Sequence, residues 1–120
     1  MKFLGTQKIF SALNVGASGF VDFETNAGGA GVSIYVVTSN PQAGPTFTFS
    51  IGALNPDGSE LTLITSPAVI AALTTRVAVL PGVTAQANII AAEVIPGTGR
   101  FRYIHGAGSF NIDVWMASFG

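Results

Sequence analysis

The chain has 120 residues, enough for one domain with a real core; 48% of them are hydrophobic and only 9% are charged, against about 25% charged in ordinary globular domains. Its formal net charge is −1 and its cations number five, Lys2, Lys8, Arg76, Arg100 and Arg102, which argues against a nucleic-acid-binding surface. The absence of cysteine excludes a disulfide framework and any thiolate metal site.

So few charges leave Ser, Thr, Asn, Gly and Ala to form the polar faces. Such faces are cheap to desolvate, so part of the surface is expected to be buried in an assembly.

The N-terminal stretch "MKFLGTQKIFSALNVGASG" carries Phe3, Leu4, Ile9, Phe10 and Leu13 with no clean strand or helix period. Two readings stay open. Residues 1–19 form an extended arm that inserts Phe3, Leu4 and Phe10 into a neighbouring subunit, or Lys8–Leu13 is the first strand of the domain itself. Gly5, Thr6, Gln7 and Lys8 interrupt the apolar run, so the stretch is not expected to be a secretory leader. No stretch approaches the roughly 20 apolar residues of a membrane-spanning helix, and no membrane contact is expected.

Residues 20–120 read as a single β domain with a dominant period of two. "GFVDFET" is a short strand. "GVSIYVVTS" sets Val32, Ile34 and Val36 against Ser33, Tyr35 and Val37, apolar on nearly both sides, as in a strand packed twice or at an interface. "PTFTFSIGAL" puts Phe47, Phe49 and Ile51 on one face. "NPDG" at 55–58 is a type I turn that closes a hairpin to "ELTLIT". "SPAVIAALTT" begins with Ser66 as a candidate N-cap and Pro67 at the first helical position, which allows a short helix near 67–73. "TRVAVL" is a strand, and "TAQANIIAAEVI" reads as loop then strand.

The stretch "GRFRYIHGAG" alternates Arg100, Arg102 and Ile104 against Phe101, Tyr103 and His105. Its two cations form a stripe available to a charged partner. "SFNIDVWMAS" sends Phe110, Ile112, Val114 and Met116 one way and Asn111, Asp113 and Trp115 the other. Gly/Pro turns at 26–31, 39–45, 81–83, 96–99 and 106–108 separate the runs. Together these features predict an all-β fold: an antiparallel β-sandwich of jelly-roll or Ig-like type with about seven or eight short strands.

No catalytic set can be assembled. His105 is the only histidine, and no serine stands in a G-x-S-x-G context. Asp22 and Glu24 share a strand face but read as a solvated pair. No phosphate-cradling glycine motif and no metal-binding loop is present. The expectation is a non-enzymatic protein without a cofactor. Trp115, with Tyr35 and Tyr103, is the one candidate sugar platform. Phe dominates the aromatic stock, with nine residues, and points instead to core, so carbohydrate is the minor alternative.

The order of these motifs resembles the small β-sandwich virion proteins of tailed bacteriophages. The matching residues run from Phe47, Phe49, Ile51, Asp57 and Gly58 through Leu80, Pro81, Gly82 and Pro96. They continue with Arg100, His105, Gly106, Ser109 and Val114, within residues 32–118. One departure is Arg-Phe-Arg at 100–102, where the pattern has Trp before Arg. The resemblance implies a capsid decoration (cement) protein that sits on the capsid exterior after synthesis in the host cytoplasm. It also implies bridging of major capsid protein subunits, commonly as a homotrimer; tail or fibre components are the alternative virion sites. Phe3, Leu4, Phe10, Tyr35, Arg100, Arg102 and Trp115 are the candidate interface residues.

Overall fold

The period of two carries through to the computed structural model, which describes residues 2–25, 31–93, 95 and 97–120. Seven strands form among the described residues: β1 (Phe3–Val15), β2 (Gly19–Glu24), β3 (Gly31–Leu54), β4 (Glu60–Thr65), β5 (Thr74–Val79), β6 (Ile90–Ala91) and β7 (Thr98–Phe119). The fold is an all-β sandwich.

Two long strands organise it. β3 has 24 residues and β7 has 22, and they pair antiparallel from Gly31↔Phe119 to Ala53↔Gly99. Each was expected as two strands separated by a turn. Instead, "SNPQAGP" and "GAG" are irregularities within one ladder, with register shifts between Ser39 and Phe47 of β3. Asn40, Ala43, Gly44 and Gly108 take positive φ there.

The irregularity has a purpose visible in the burial pattern. Before it, β3 buries the even-numbered Val32, Ile34 and Val36; after it, the odd-numbered Phe47, Phe49 and Ile51. β7 makes the complementary switch, from Phe101 to Phe110, Ile112, Val114 and Met116. A strand bent between the two leaves of a sandwich must change parity to keep its apolar side inward, and bulged residues do this.

The bend divides the ladder into two leaves. One runs β1–β7–β3–β5–β6 and uses the C-terminal half of β7 with the N-terminal half of β3. The other runs β2–β7–β3–β4 through the opposite halves. The larger of two core clusters draws on both leaves, and a small one joins Ala78, Leu80 and Ile90. β6 pairs with β5 in parallel, against the expectation of an antiparallel sandwich throughout.

Two further expectations are corrected or decided. No helix forms at 67–73. Val69 exchanges both backbone hydrogen bonds with Phe47, at 3.0 and 2.7 Å, and buries its side chain. Ser66, the expected N-cap, accepts from Phe49 N (2.9 Å) and donates to Pro67 O (2.8 Å). The segment's backbone groups are thus committed to β3, and tertiary pairing overrides the local helix signal.

The N-terminal segment is a strand, not a detached arm. β1 lies along β7 from Phe3↔Phe119 to Val15↔Phe110, with register shifts at Phe3/Gly5, Lys8/Phe10 and Ala12/Val15. Those shifts are why its apolar residues show no clean period. The 55–58 turn forms as read: Gly58 N donates to Asn55 O at 2.9 Å, and Asp57 accepts from Ser59 N and Oγ. Apart from Gly31, the turn expected at 26–31 lies outside the described residues, as do Val94 and Pro96.

Candidate interaction faces

The outer face of the larger leaf carries one row of side chains across four strands. Lys8 of β1 stands opposite Trp115 of β7, Trp115 opposite Tyr35 of β3, and Tyr35 opposite Arg76 of β5. Three inter-strand spacings make this row roughly 14 Å long. Trp115 is 40% exposed and Tyr35 36%.

The row is held by its neighbours. Lys8 Nζ sits 4.9 Å from the Trp115 ring centre and 3.6 Å from Asp113 Oδ1. Ser11 Oγ donates to the same Asp113 oxygen at 2.6 Å, and Arg76 Nε donates to Ser33 Oγ at 2.8 Å. Two aromatic rings are therefore displayed between two cations on a stiff four-strand platform. Apolar area on a pre-ordered face is what a binding partner can bury without a large ordering cost.

The outer face of the smaller leaf holds Arg100 and Arg102, as their alternation predicts, but their charge is satisfied within the chain. Arg100 Nε and Nη2 donate to the two oxygens of Asp22 at 2.7 and 3.1 Å. Arg102 Nε donates to Glu60 Oε1 at 2.6 Å, and Arg100 Nη1 lies 3.9 Å from that oxygen. The Phe20 ring lies under both guanidinium groups, 4.0 and 5.3 Å from their carbons. The hydrogen bonds from Arg100 hold the Asp22 carboxyl below its ordinary pKa, and Asp22 in turn raises that of Arg100. This face is a cross-strand ion ladder more than a free cationic stripe.

The N-terminal candidates separate. Phe3 and Leu4 are exposed at the end of β1, with Phe3 edge-on to Phe119 at 5.8 Å. Phe10 instead packs on Tyr103, 4.9 Å between ring centres, and against the core of its own chain.

His105 and the acidic pair each make contacts within the chain. His105 Nε2 donates to Gly108 O at 2.9 Å, its ring stands edge-on to Phe47, and its backbone N donates to Ser18 Oγ. Asp22 serves Arg100, and Glu24 Oε1 accepts from Thr98 Oγ1. Among the described residues, no three His, Cys, Asp or Glu side chains gather where they could hold a metal ion.

The residues that the fold brings together thus differ from those that periodicity marks. Trp115 and Tyr35 come together, joined by Lys8 and Arg76. Phe20 and Glu60 join the arginines. Cross-strand register brings these four in, and register is invisible until the strands are paired. The Asp22 and Phe20 alternation in "GFVDFET", matched to that of Arg100 and Arg102, was the one available signal.

No family model matches the chain, and a search of curated proteins finds no match either.

Proposed function

We propose that this chain is a non-enzymatic structural protein that works by burying the Trp115–Tyr35 face of its larger leaf against another protein, in the specific form of a virion capsid decoration protein bridging major capsid subunits. The observation that carries the binding role is the exposure of Trp115 and Tyr35 side by side on a regular sheet face, in a chain with only 9% charged residues. Aromatic residues dominate the energetics of protein interfaces, and a charge-poor surround is cheap to desolvate. The capsid assignment rests on the order of turns and strands within residues 32–118. Several modest contacts per oligomer would add through effective concentration, and binding only the assembled shell stabilises that shell by mass action.

The test uses the single tryptophan as its own reporter. The purified chain is mixed with shells assembled from the major capsid protein of the same genome. Co-sedimentation, a blue shift of Trp115 emission and a raised shell melting temperature are expected. Trp115→Ala should abolish the co-sedimentation while its own thermal melt stays close to that of the parent chain. No binding to any virion part sinks the capsid role.

A second reading has one specific observation in its favour. Trp115 is exposed beside polar groups, as a sugar-stacking platform requires. Quenching of Trp115 emission by soluble glycans, with no response to capsid shells, would favour it.

A further inference from the structure

The larger leaf has two flanks, and they are treated differently. β1 closes one flank with three register shifts in 13 residues, and bulges of this kind blunt an edge against further pairing. β5 forms the other flank and, among the described residues, is paired on that side only at Ala78 and Val79, by the two-residue β6. Ala78 N donates to Ile89 O and Leu80 N to Ala91 O. The even-numbered residues of β5 thus direct their backbone groups outward, away from β3. In an antiparallel ladder this alternation continues along the strand, so Thr74 and Arg76 also present N–H and C=O outward.

The chain joins that edge just after Asn88, which adopts a φ of 61° and sends its Nδ2 to Thr65 O on β4 at 2.9 Å. Beyond this point lies an apolar cleft of about 350 Å³ bordered by Pro67, Val69, Leu73, Thr75 and Ile89. Thr75 Oγ1 is buried and has no hydrogen-bond partner among the described residues. Arg76 borders the same cleft, and among the described residues it is the one arginine with no carboxylate within 4.0 Å.

We infer that the Thr74–Arg76 edge of β5 is a strand-addition site for an extended polypeptide of a partner protein, which places an apolar side chain in the cleft and a carboxylate against Arg76. The chain's own β6 shows the mode, since it already adds to this edge two residues further on. Alternating side chains of an added strand fall by turns into the cleft and onto the outer face. The apolar and acidic requirements therefore belong to adjacent residues. The site adjoins the Trp115–Tyr35 face at Arg76, which stands opposite Tyr35, but it uses the in-plane edge of β5, which that face does not, and it stands whether or not the capsid reading does.

Amide hydrogen exchange read by NMR tests it. In the free chain the amides of Thr75 and Val77 should exchange slowly and those of Thr74 and Arg76 fast. An acetylated, amidated pentapeptide Thr-Ile-Glu-Val-Thr at millimolar concentration should slow Thr74 and Arg76 and shift the Val69 and Leu73 methyl signals. Arg76→Glu should weaken that peptide by about tenfold, and replacing the peptide's Glu with Lys should restore binding to the variant. Three results overturn the inference: an Arg76 amide already protected in dilute free protein, no added protection at saturating peptide, or equal binding of both peptides to both proteins. Protection that grows with protein concentration alone would assign the edge to a second copy of the chain and overturn it too.

Discussion

The Glu60 side chain lies across Gly52, and from there its Oε1 accepts a 2.6 Å hydrogen bond from Arg102 on the far side of β3. A Cβ at residue 52 would stand 2.7 Å from both Cγ and Oε2 of Glu60. The missing side chain near the end of β3 therefore has a role: it lets an acid on β4 reach two arginines on β7. Gly52→Val should lift Glu60 away and break the ladder, while the gain in strand preference offsets part of the loss. A double-mutant cycle reads this directly. Glu60→Gln is expected to cost about 1 kcal/mol in the parent chain and close to nothing in the Gly52→Val background, measured by urea unfolding. Equal costs in both backgrounds would show that Gly52 does not matter to the ion pair.

Gly108 is a harder constraint. It adopts a φ of 59° at the bend of β7, and a Cβ there would fall on the carbonyl oxygen of Gln42 and 2.7 Å from Pro45 Cα. Both obstacles are backbone, so neither can swing aside. Gly108→Ala is expected to destabilise by about 2 kcal/mol or more, from the left-handed conformation and the clash together. Gly44 shares a positive φ but has nothing within 4 Å of its Cβ position. Gly44→Ala should therefore lose only the conformational part, about 1 kcal/mol. Equilibrium unfolding of the two variants separates the effects.

Acid titration tests the Asp22–Arg100 pair. The folded chain holds the Asp22 carboxyl below its ordinary value, chiefly through the Arg100 hydrogen bonds. The folded state therefore binds that proton less readily than the unfolded state. The stabilisation is complete above the unfolded carboxylate pKa, near 4, and is lost as pH falls through the lowered folded value. Asp57 is lowered too, by its hydrogen bonds from Ser59, so the whole-chain curve mixes both. The difference between the parent and Asp22→Asn isolates the pair. That difference should be constant at neutral pH, shrink as pH falls below about 4, and diminish in high salt because both side chains border solvent. A difference independent of pH would mean that the carboxylate charge is not what Arg100 responds to.

Inward-facing residues were legible wherever a strand is regular. Val32, Ile34 and Val36, Phe47, Phe49 and Ile51, and Phe110 through Met116 all fall on the faces that alternation assigns. What alternation could not show is that these runs join into two bent strands. A Gly-Pro cluster looks the same as a turn or as a bulge, and the distinction lies in the distant pairing of Gln42 with Ser109 and Thr46 with Ala107. β4 shows the same limit on a smaller scale. Ile51 pairs with Ile64 and Gly52 with Thr62, so Leu63 is an extra residue in β4, and Leu63 and Ile64 both pack toward the core while Leu61 stays exposed. The candidate site followed the same pattern. Trp115 and Tyr35 were each picked out as residues, but their adjacency, and that of Lys8 and Arg76, depends on the register of four strands.

The N-terminal strand gives the sharpest test of the fold. As a detachable arm, residues 2–14 could be removed with loss of assembly alone. As β1, they supply Ile9 and Phe10 to the core, set Phe10 against Tyr103, and pair the backbone of β7 from Ile112 to Phe119. Their removal uncovers the edge of a long central strand and takes Phe10 from beside Val114. The truncated chain is expected to lose its cooperative unfolding transition or to aggregate through the bared edge, as followed by circular dichroism and light scattering. The milder Phe10→Ala separates packing from pairing: with the side chain half-buried, it should cost about 2 kcal/mol and leave the strand in place. A truncated chain that melts like the parent would restore the arm and would place the β1–β7 ladder outside what holds the sandwich together.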